Sequence, residues 1–233
     1  MLLRSNTFTS SGNTLLAPYD NVHKFAAIVL DDVERVVIGD SSLDASVDAN
    51  EFSNSNCGIR AFNSSFELYN NHFSNITELD GEILEVDSKG ACVSSVSRSD
   101  FNDRYCIIGN KDYNLSAPSQ SHRNKFHSSV FGIVSRGEMN MKIFNNEFGN
   151  SATTSDALTF CGIASYNSAN KKIYISRGNA FYDYNVGVKA FSIGTAGTYH
   201  IVDNDFVKAT SSIPANPTSF QGTAIWAANP MRP

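Results

Sequence analysis

Residues 57–73 read Cys57-Gly58-Ile59-Arg60-Ala61-Phe62-Asn63-Ser64-Ser65-Phe66-Glu67-Leu68-Tyr69-Asn70-Asn71-His72-Phe73. Gly58-Ile59 opens the stretch, Phe66-Glu67-Leu68 alternates apolar and polar, and Asn71-His72-Phe73 closes it. Asn and Ser residues separate the three. Short period-two runs divided by turn residues are the mark of strands, not of an amphipathic helix. If such a unit recurs along the chain, three strands per unit describe one coil of a parallel β-helix.

The unit does recur. Asn-x-Phe returns at Asn6-Thr7-Phe8, Asn50-Glu51-Phe52, Asn124-Lys125-Phe126, Asn146-Glu147-Phe148, Asn179-Ala180-Phe181 and Asn204-Asp205-Phe206. A degenerate copy, Ser99-Asp100-Phe101, stands in the widest central gap, and the interval from Phe8 to Phe52 is about two units long. Small-plus-β-branched pairs keep phase with the triplet at Gly132-Ile133, Gly162-Ile163 and Gly187-Val188, with Gly81-Ile83 displaced by an insertion. Phe25-Ala26-Ala27-Ile28 takes the same part early in the chain. The alternating strand returns as Val36-Val37-Ile38-Gly39, Met141-Lys142-Ile143, Ile173-Tyr174-Ile175 and Tyr199-His200-Ile201, with a weaker copy at Tyr113-x-Leu115. The expectation is an all-β chain forming one parallel β-helix over residues 1–233, about seven to nine coils of three short strands. Regular repeats cover about 25–208, and 209–233 is irregular except that Gly222-Thr223-Ala224-Ile225-Trp226 starts one more coil.

The repeat resembles the right-handed parallel β-helix repeat of pectate-lyase-like proteins and of large secreted bacterial surface proteins. The resemblance implies a hollow solenoid and export from a bacterial cell with the leader outside this chain. It leaves the activity open, because the scaffold hosts unrelated functions. Both termini cut through the repeat, and since repeat arrays need caps the expectation is a segment of a longer solenoid, the alternative being ends covered by a partner chain or by the irregular stretch 209–233.

Within such a coil, a Phe repeated at one place stacks on its counterparts: Phe52, Phe73, Phe101, Phe126, Phe148, Phe181 and Phe206. The Asn two positions earlier (Asn50, Asn71, Asn124, Asn146, Asn179, Asn204) is expected at a left-handed turn, its amide bonding to the next Asn in a ladder. Both sets are read as structural.

Composition narrows the partners. The formal charge is −5, with no basic run, which argues against general affinity for nucleic acid or an anionic membrane. No run of about 18 apolar residues exists, so no membrane-inserted helix is expected. Cys57, Cys106 and Phe131 lie at one offset from their own Phe, and Cys161 precedes Gly-Ile as Cys57 does. They are read as one inward column of free thiols. Cys57 and Cys106, two coils apart, would be about 10 Å from each other, beyond the ~7 Å Cα limit of a disulfide.

Three candidate chemistries follow. The residue between Asn and Phe should point outward and stack as Thr7, Glu51, His72, Asp100, Lys125, Glu147, Ala180 and Asp205. There Glu51, His72 and Asp100 could form an acid–base group; otherwise the stripe is a solvated row of weak ion pairs. The acidic stretch containing Asp80, Glu82, Glu85 and Asp87 offers hard oxygens to Ca²⁺, the one cofactor considered. Against the catalytic members of the resembling class, Asp31-Asp32 is the only Asp pair and lacks a preceding Gly, and no Gly-His-Gly or Arg-Ile-Lys occurs. Ser135-Arg136-Gly137 and Ser176-Arg177-Gly178 supply arginines without an aligned Lys motif. The favoured expectation is therefore a non-catalytic, secreted or cell-surface module, a rigid scaffold or a glycan-binding face whose partners are polysaccharide or other parts of a larger surface protein. The alternatives are a polysaccharide lyase or glycosidase with outer-face carboxylates, and a trimeric phage tail-spike-like fibre.

Overall fold

The computed structural model describes residues 2–9, 26–42, 48–77, 90–98, 103–110, 123–137, 139–149, 160–168, 171–193, 198–207 and 222–228. Among them there are strands and no helix. Three seven-stranded parallel sheets form the walls of a β-helix of about seven coils. Sheet A stacks β1 (Leu2–Leu3), β4 (Val36–Gly39), β7 (Phe66–Tyr69), β10 (Tyr105–Ile108), β13 (Asn140–Phe144), β16 (Lys172–Ser176) and β19 (Thr198–Val202). Sheet B stacks β2 (Thr7–Thr9), β5 (Asn50–Ser53), β8 (Asn71–Ser74), β11 (Lys125–His127), β14 (Glu147–Phe148), β17 (Ala180–Tyr182) and β20 (Asp205–Val207). Sheet C stacks β3 (Ala26–Asp31), β6 (Cys57–Phe62), β9 (Ala91–Ser97), β12 (Phe131–Gly137), β15 (Cys161–Ser168), β18 (Val186–Ile193) and β21 (Thr223–Ala228).

Alternation along each strand decides the inside. Phe66 and Leu68, Met141 and Ile143, and Ile173 and Ile175 point inward from sheet A, while Ile59, Val93, Ile133, Ile163 and Val188 do so from sheet C. Sheet B contributes one file of rings: Phe8, Phe52, Phe73, Phe126, Phe148, Phe181 and Phe206, with successive centroids 4.6–5.2 Å apart. A parallel strand spacing of about 4.8 Å sets that distance, and offset stacking turns repetition into cohesion.

The file places the described rungs at seven, within the expected range, and revises two intervals. Phe8 stacks directly on Phe52 at 4.7 Å, so that long interval is one coil, not two. Phe73 stacks directly on Phe126 at 5.2 Å, and Lys125 pairs with His72, so no rung from Phe101 intervenes. Ser99, Asp100 and Phe101 lie outside the described residues, as does the weak strand expected at Tyr113-x-Leu115; β10 fills that place in sheet A. Cys92-Val93, rather than Gly81-Ile83, stands in register with Gly58-Ile59.

The asparagine ladder is continuous. Asn6, Asn50, Asn71, Asn124, Asn146 and Asn179 each donate from Nδ2 to Oδ1 of the next, over 2.8–3.1 Å. Each Nδ2 from Asn50 onward also donates to a sheet A carbonyl one coil back: Leu3, Ile38, Leu68, Ile108, Ile143 and Ile175. Buried polar groups at the corner are thereby paired, as burial demands. At five of the seven rungs the left-handed residue is the one before the ladder Asn, correcting the expectation: Ser5, Asn70, Asn145, Gly178 and Asp203 have positive φ, while Ala49, Arg123 and the ladder residues themselves do not. At those five corners the chain bends one residue early.

The cysteine reading is also corrected in part. All four cysteines are free and buried. Cys106, however, pairs with Phe66 and Met141 in sheet A, whereas Cys57 pairs with Ala91 in sheet C, a column continuing through Phe131 and Cys161. In sheet C the register skips Gly132 and Gly162, shifting the alternation by one. Cys161 and Phe131 therefore belong to a second, smaller apolar cluster with Ala91, Val134, Ala164 and Val186, outside the main core.

Candidate functional site

The residues between Asn and Phe stack in register on sheet B, but Glu147 and Ala180 are buried instead of solvated, and Asp100 lies outside the described residues. Thr7, Glu51, His72, Lys125, Glu147, Ala180 and Asp205 follow in register, with Lys125 next to His72. His72 Nδ1–H donates to Glu51 Oε1 at 2.9 Å, bringing two of the three candidate acid–base residues together. Burial holds His72 below the ordinary histidine range, with Glu51 opposing that shift and Lys125 adding to it. The neutral ring keeps a lone pair on Nε2, yet that atom is buried and has no hydrogen-bond partner among the described residues. A general base must reach the proton it removes; this nitrogen faces protein. Further along, His127 Nε2–H donates to Glu147 Oε1 at 2.9 Å, a second satisfied pair. The calcium candidates Asp80, Glu82, Glu85 and Asp87 lie outside the described residues, and no group of three metal-ligating side chains occurs among those described.

The outer face of sheet C carries a different chemistry. Register places Val29, Arg60, Ser94, Val134, Ala164, Lys189 and Trp226 in one outward column. Asp31, Phe62, Val96, Arg136, Tyr166, Phe191 and Ala228 form the next. Tyr166 stacks on Phe191 at 5.4 Å, and Trp226 meets Phe191 edge-on at 5.2 Å. Lys189 Nζ lies 4.9 Å from both the Phe191 and Trp226 ring centroids, 5.5 Å from Tyr166 and 5.7 Å from Phe160. The Arg136 guanidinium covers Tyr166 at 5.1 Å, and that of Arg60 covers Phe62 at 4.5 Å. Cations over ring faces are held by the ring quadrupole, so the heads are positioned before any ligand arrives.

These rings rest on a packed base. Val134 and Ala164 of the same face are buried, while Tyr166, Phe191 and Trp226 are half-buried and Arg136 is exposed. Among the described outward residues of the two columns, Asp31 is the single carboxylate, and it sits on the first strand. The described cations of the two columns are Arg60, Arg136 and Lys189. Sheet A, by comparison, offers a shallow groove of about 290 Å³ lined by Tyr105, Lys142, Lys172 and Tyr174. There Glu67, in register one strand from Ile107 and two from Lys142, balances part of the positive charge.

Sequence reasoning reached the sheet B stripe because the Asn-x-Phe triplet numbers it. It missed the sheet C face, whose members share no residue type. The usable signal was the alternation Arg60-x-Phe62, Lys189-x-Phe191 and Arg136 two coils from each, which emerges once Ile59, Ile133 and Val188 are set in register. No known protein family, curated protein or solved structure matches this chain.

Proposed function

We propose that this chain is a non-catalytic β-helix module of the pectate-lyase-like architectural type, secreted or displayed at a bacterial surface, that holds the outer face of sheet C toward a glycan. The observation carrying the reading is the run Tyr166, Phe191 and Trp226 on three successive strands around Lys189. A row of aromatic rings around one ammonium and two guanidiniums, set by backbone register, suits an extended polymer laid across the coils. Pre-organised side chains lose little freedom on binding, which favours affinity on a flat surface.

For a lyase or glycosidase on the sheet B stripe, the next carboxylate after Glu51 among the described residues is Glu147, three strands away, about 14 Å at the usual strand spacing; the candidate Asp100 lies outside them. Glycosidases place their two carboxyl groups within about 5–9.5 Å. The buried Nε2 of His72 likewise favours the structural reading of that pair.

Trp226 is the only tryptophan of the chain, so its emission reports on this face directly. Titration with neutral and acidic polysaccharides should shift that emission saturably, and no reducing-end or unsaturated product should accumulate with or without EDTA. An emission unaltered by every glycan tried would overturn the binding reading; steady product release would overturn the non-catalytic one.

A further inference from the structure

We infer that the outer groove of sheet A is a second binding site, independent of whatever sheet C holds, and that it takes a small planar aromatic acid. The ring lies against Tyr174 and the carboxylate between Lys142 and Lys172. The groove measures about 290 Å³ and spans three neighbouring strands. Tyr105 and Ile107 of β10 form one side, Lys172 and Tyr174 of β16 the other, and Asn140 and Lys142 stand on β13 between them. Small-molecule sites start at about 300 Å³ and combine apolar walls with a few polar heads. This groove has that make-up and room for a ring-sized ligand, not for a long polymer.

The protein itself shows what Tyr174 accepts. His200, one strand further on, stacks flat against it with centroids 4.6 Å apart and 9° between the planes. That stack runs along the solenoid axis, so the opposite face of Tyr174 turns toward β13 and the groove. On sheet C, cations cover the rings of Phe62, Tyr166 and Phe191, whereas no described cation lies over Tyr174. Its groove-side face is left for a second flat ring, in the offset geometry that aromatic pairs prefer. Charge decides the substituent. No described carboxylate lines the groove, and its two cations, Lys142 and Lys172, are exposed. Neither ammonium has a hydrogen-bond or ion-pair partner among the described residues. Register sets the two lysines on adjacent strands, two residues out of step, about 8 Å apart at Cα. A carboxylate between them can meet both, in charge-assisted contacts. Asn140 Oδ1 accepts from the Lys172 backbone N–H at 3.1 Å, which leaves Nδ2 as a further donor. Glu67 lies beyond Ile107, in the adjoining depression, and accepts the Tyr69 hydroxyl at 2.6 Å.

The test follows four small probes by ligand-observed NMR on the full chain: benzoate, benzamide, cyclohexanecarboxylate and glucuronate. Benzoate should bind at least about fivefold more tightly than each of the others, and raised salt should weaken it. Benzamide keeps the ring without the charge, and cyclohexanecarboxylate keeps the charge without the flat ring. In the double variant Lys142→Gln/Lys172→Gln, benzoate should bind no better than benzamide. Tyr174→Leu should cost benzoate about fivefold, and Tyr174→Phe should keep it within about twofold. Lys189→Gln on sheet C should change nothing. Unaltered thermal unfolding in the double lysine variant, whose replaced side chains are exposed, separates lost binding from lost fold. Equal binding of benzamide overturns the assignment of the lysines, and equal loss in Tyr174→Phe and Tyr174→Leu that of the ring face. Tighter binding of glucuronate overturns the aromatic class. Benzoate binding that is lost in Lys189→Gln and kept in the double variant overturns the site itself. The Trp226 response to glycans is read separately on sheet C, so the two sites stand or fall apart.

Discussion

Asn71 Nδ2 donates to Asn124 Oδ1 at 3.0 Å across 53 residues of sequence. The same rung geometry joins Asn50 to Asn71 across only 21. Chain length between rungs thus varies more than twofold while the rung does not, so a large share of the corner's cohesion rests on the carboxamides.

Replacing Asn124 tests that directly. Its Oδ1 accepts from both Nδ2 and the backbone N–H of Asn71, and its Nδ2 donates to the Leu68 carbonyl. Asn124→Ala strands these buried groups, and at roughly 1–3 kcal/mol for an unsatisfied buried group the loss should be about 2–4 kcal/mol. Asn6→Ala, at the half-buried end of the ladder, should cost less than about 1 kcal/mol. Urea denaturation of both variants checks the difference, and equal losses would refute the ladder's role.

The column of small residues opposite the ring file gives a second expectation. A Cβ at Gly162 would meet the Gly187 carbonyl oxygen at 2.6 Å and the Phe181 ring at 2.8 Å. Gly162→Ala should therefore destabilise by roughly 1–3 kcal/mol through overpacking. Combining it with Phe181→Leu should cost less than the sum of the two single changes, because they share the clash. Strict additivity in the double-mutant cycle would show that ring and glycine are independent.

His72 supplies a pH dependence. Burial depresses its folded pKa, with Glu51 countering and Lys125 reinforcing. The unfolded chain takes up this proton near the ordinary value of about 6.5, before the folded chain does. The stability contributed by neutral His72 is thus full above about pH 6.5 and is lost as pH falls below it toward the folded pKa. Melting temperature should drop from about pH 7.5 to about pH 5.5, and His72→Gln should flatten part of that slope. An identical slope in the variant would remove His72 from the account.

The four thiols are predicted to be silent in the native state. Burial pushes Cys57 and Cys161 up to about 12 and raises Cys92 and Cys106 as well, so thiolate is scarce at neutral pH. A thiol reagent should label none until denaturant is added, then all four, with no change of mass on reduction. Labelling of Cys161 in native protein would mean that its cluster opens.

The period of this fold was legible because each coil repeats three constraints at once: a ring, a carboxamide and a small residue. Where all three coincide, as in 57–73, sequence alone places every strand. It misleads where one is missing. Cys92 stands in the column that holds Gly58, Gly132, Gly162 and Gly187, and nothing about a cysteine announces that position. Ser99-Asp100-Phe101 has the ring spacing without the amide, yet Phe73 stacks directly on Phe126. The aromatic and cationic side chains of sheet C were hidden for a further reason. Outward residues of sheet C need only tolerate their neighbours across a strand, so Arg60, Val134 and Lys189 obey no common rule until register aligns them.

Four of the breaks in the ribbon fall on one line. The chain leaves sheet B after Thr9, Ser74, Phe148 and Val207 and resumes at the leading edge of sheet C with Ala26, Ala91, Cys161 and Thr223. Whatever the length inserted at that line, the rings on either side keep a spacing of 4.6–5.2 Å. Sequence can therefore be added between a sheet B strand and the following sheet C strand, as between Phe148 and Cys161, while the load-carrying column keeps its pitch.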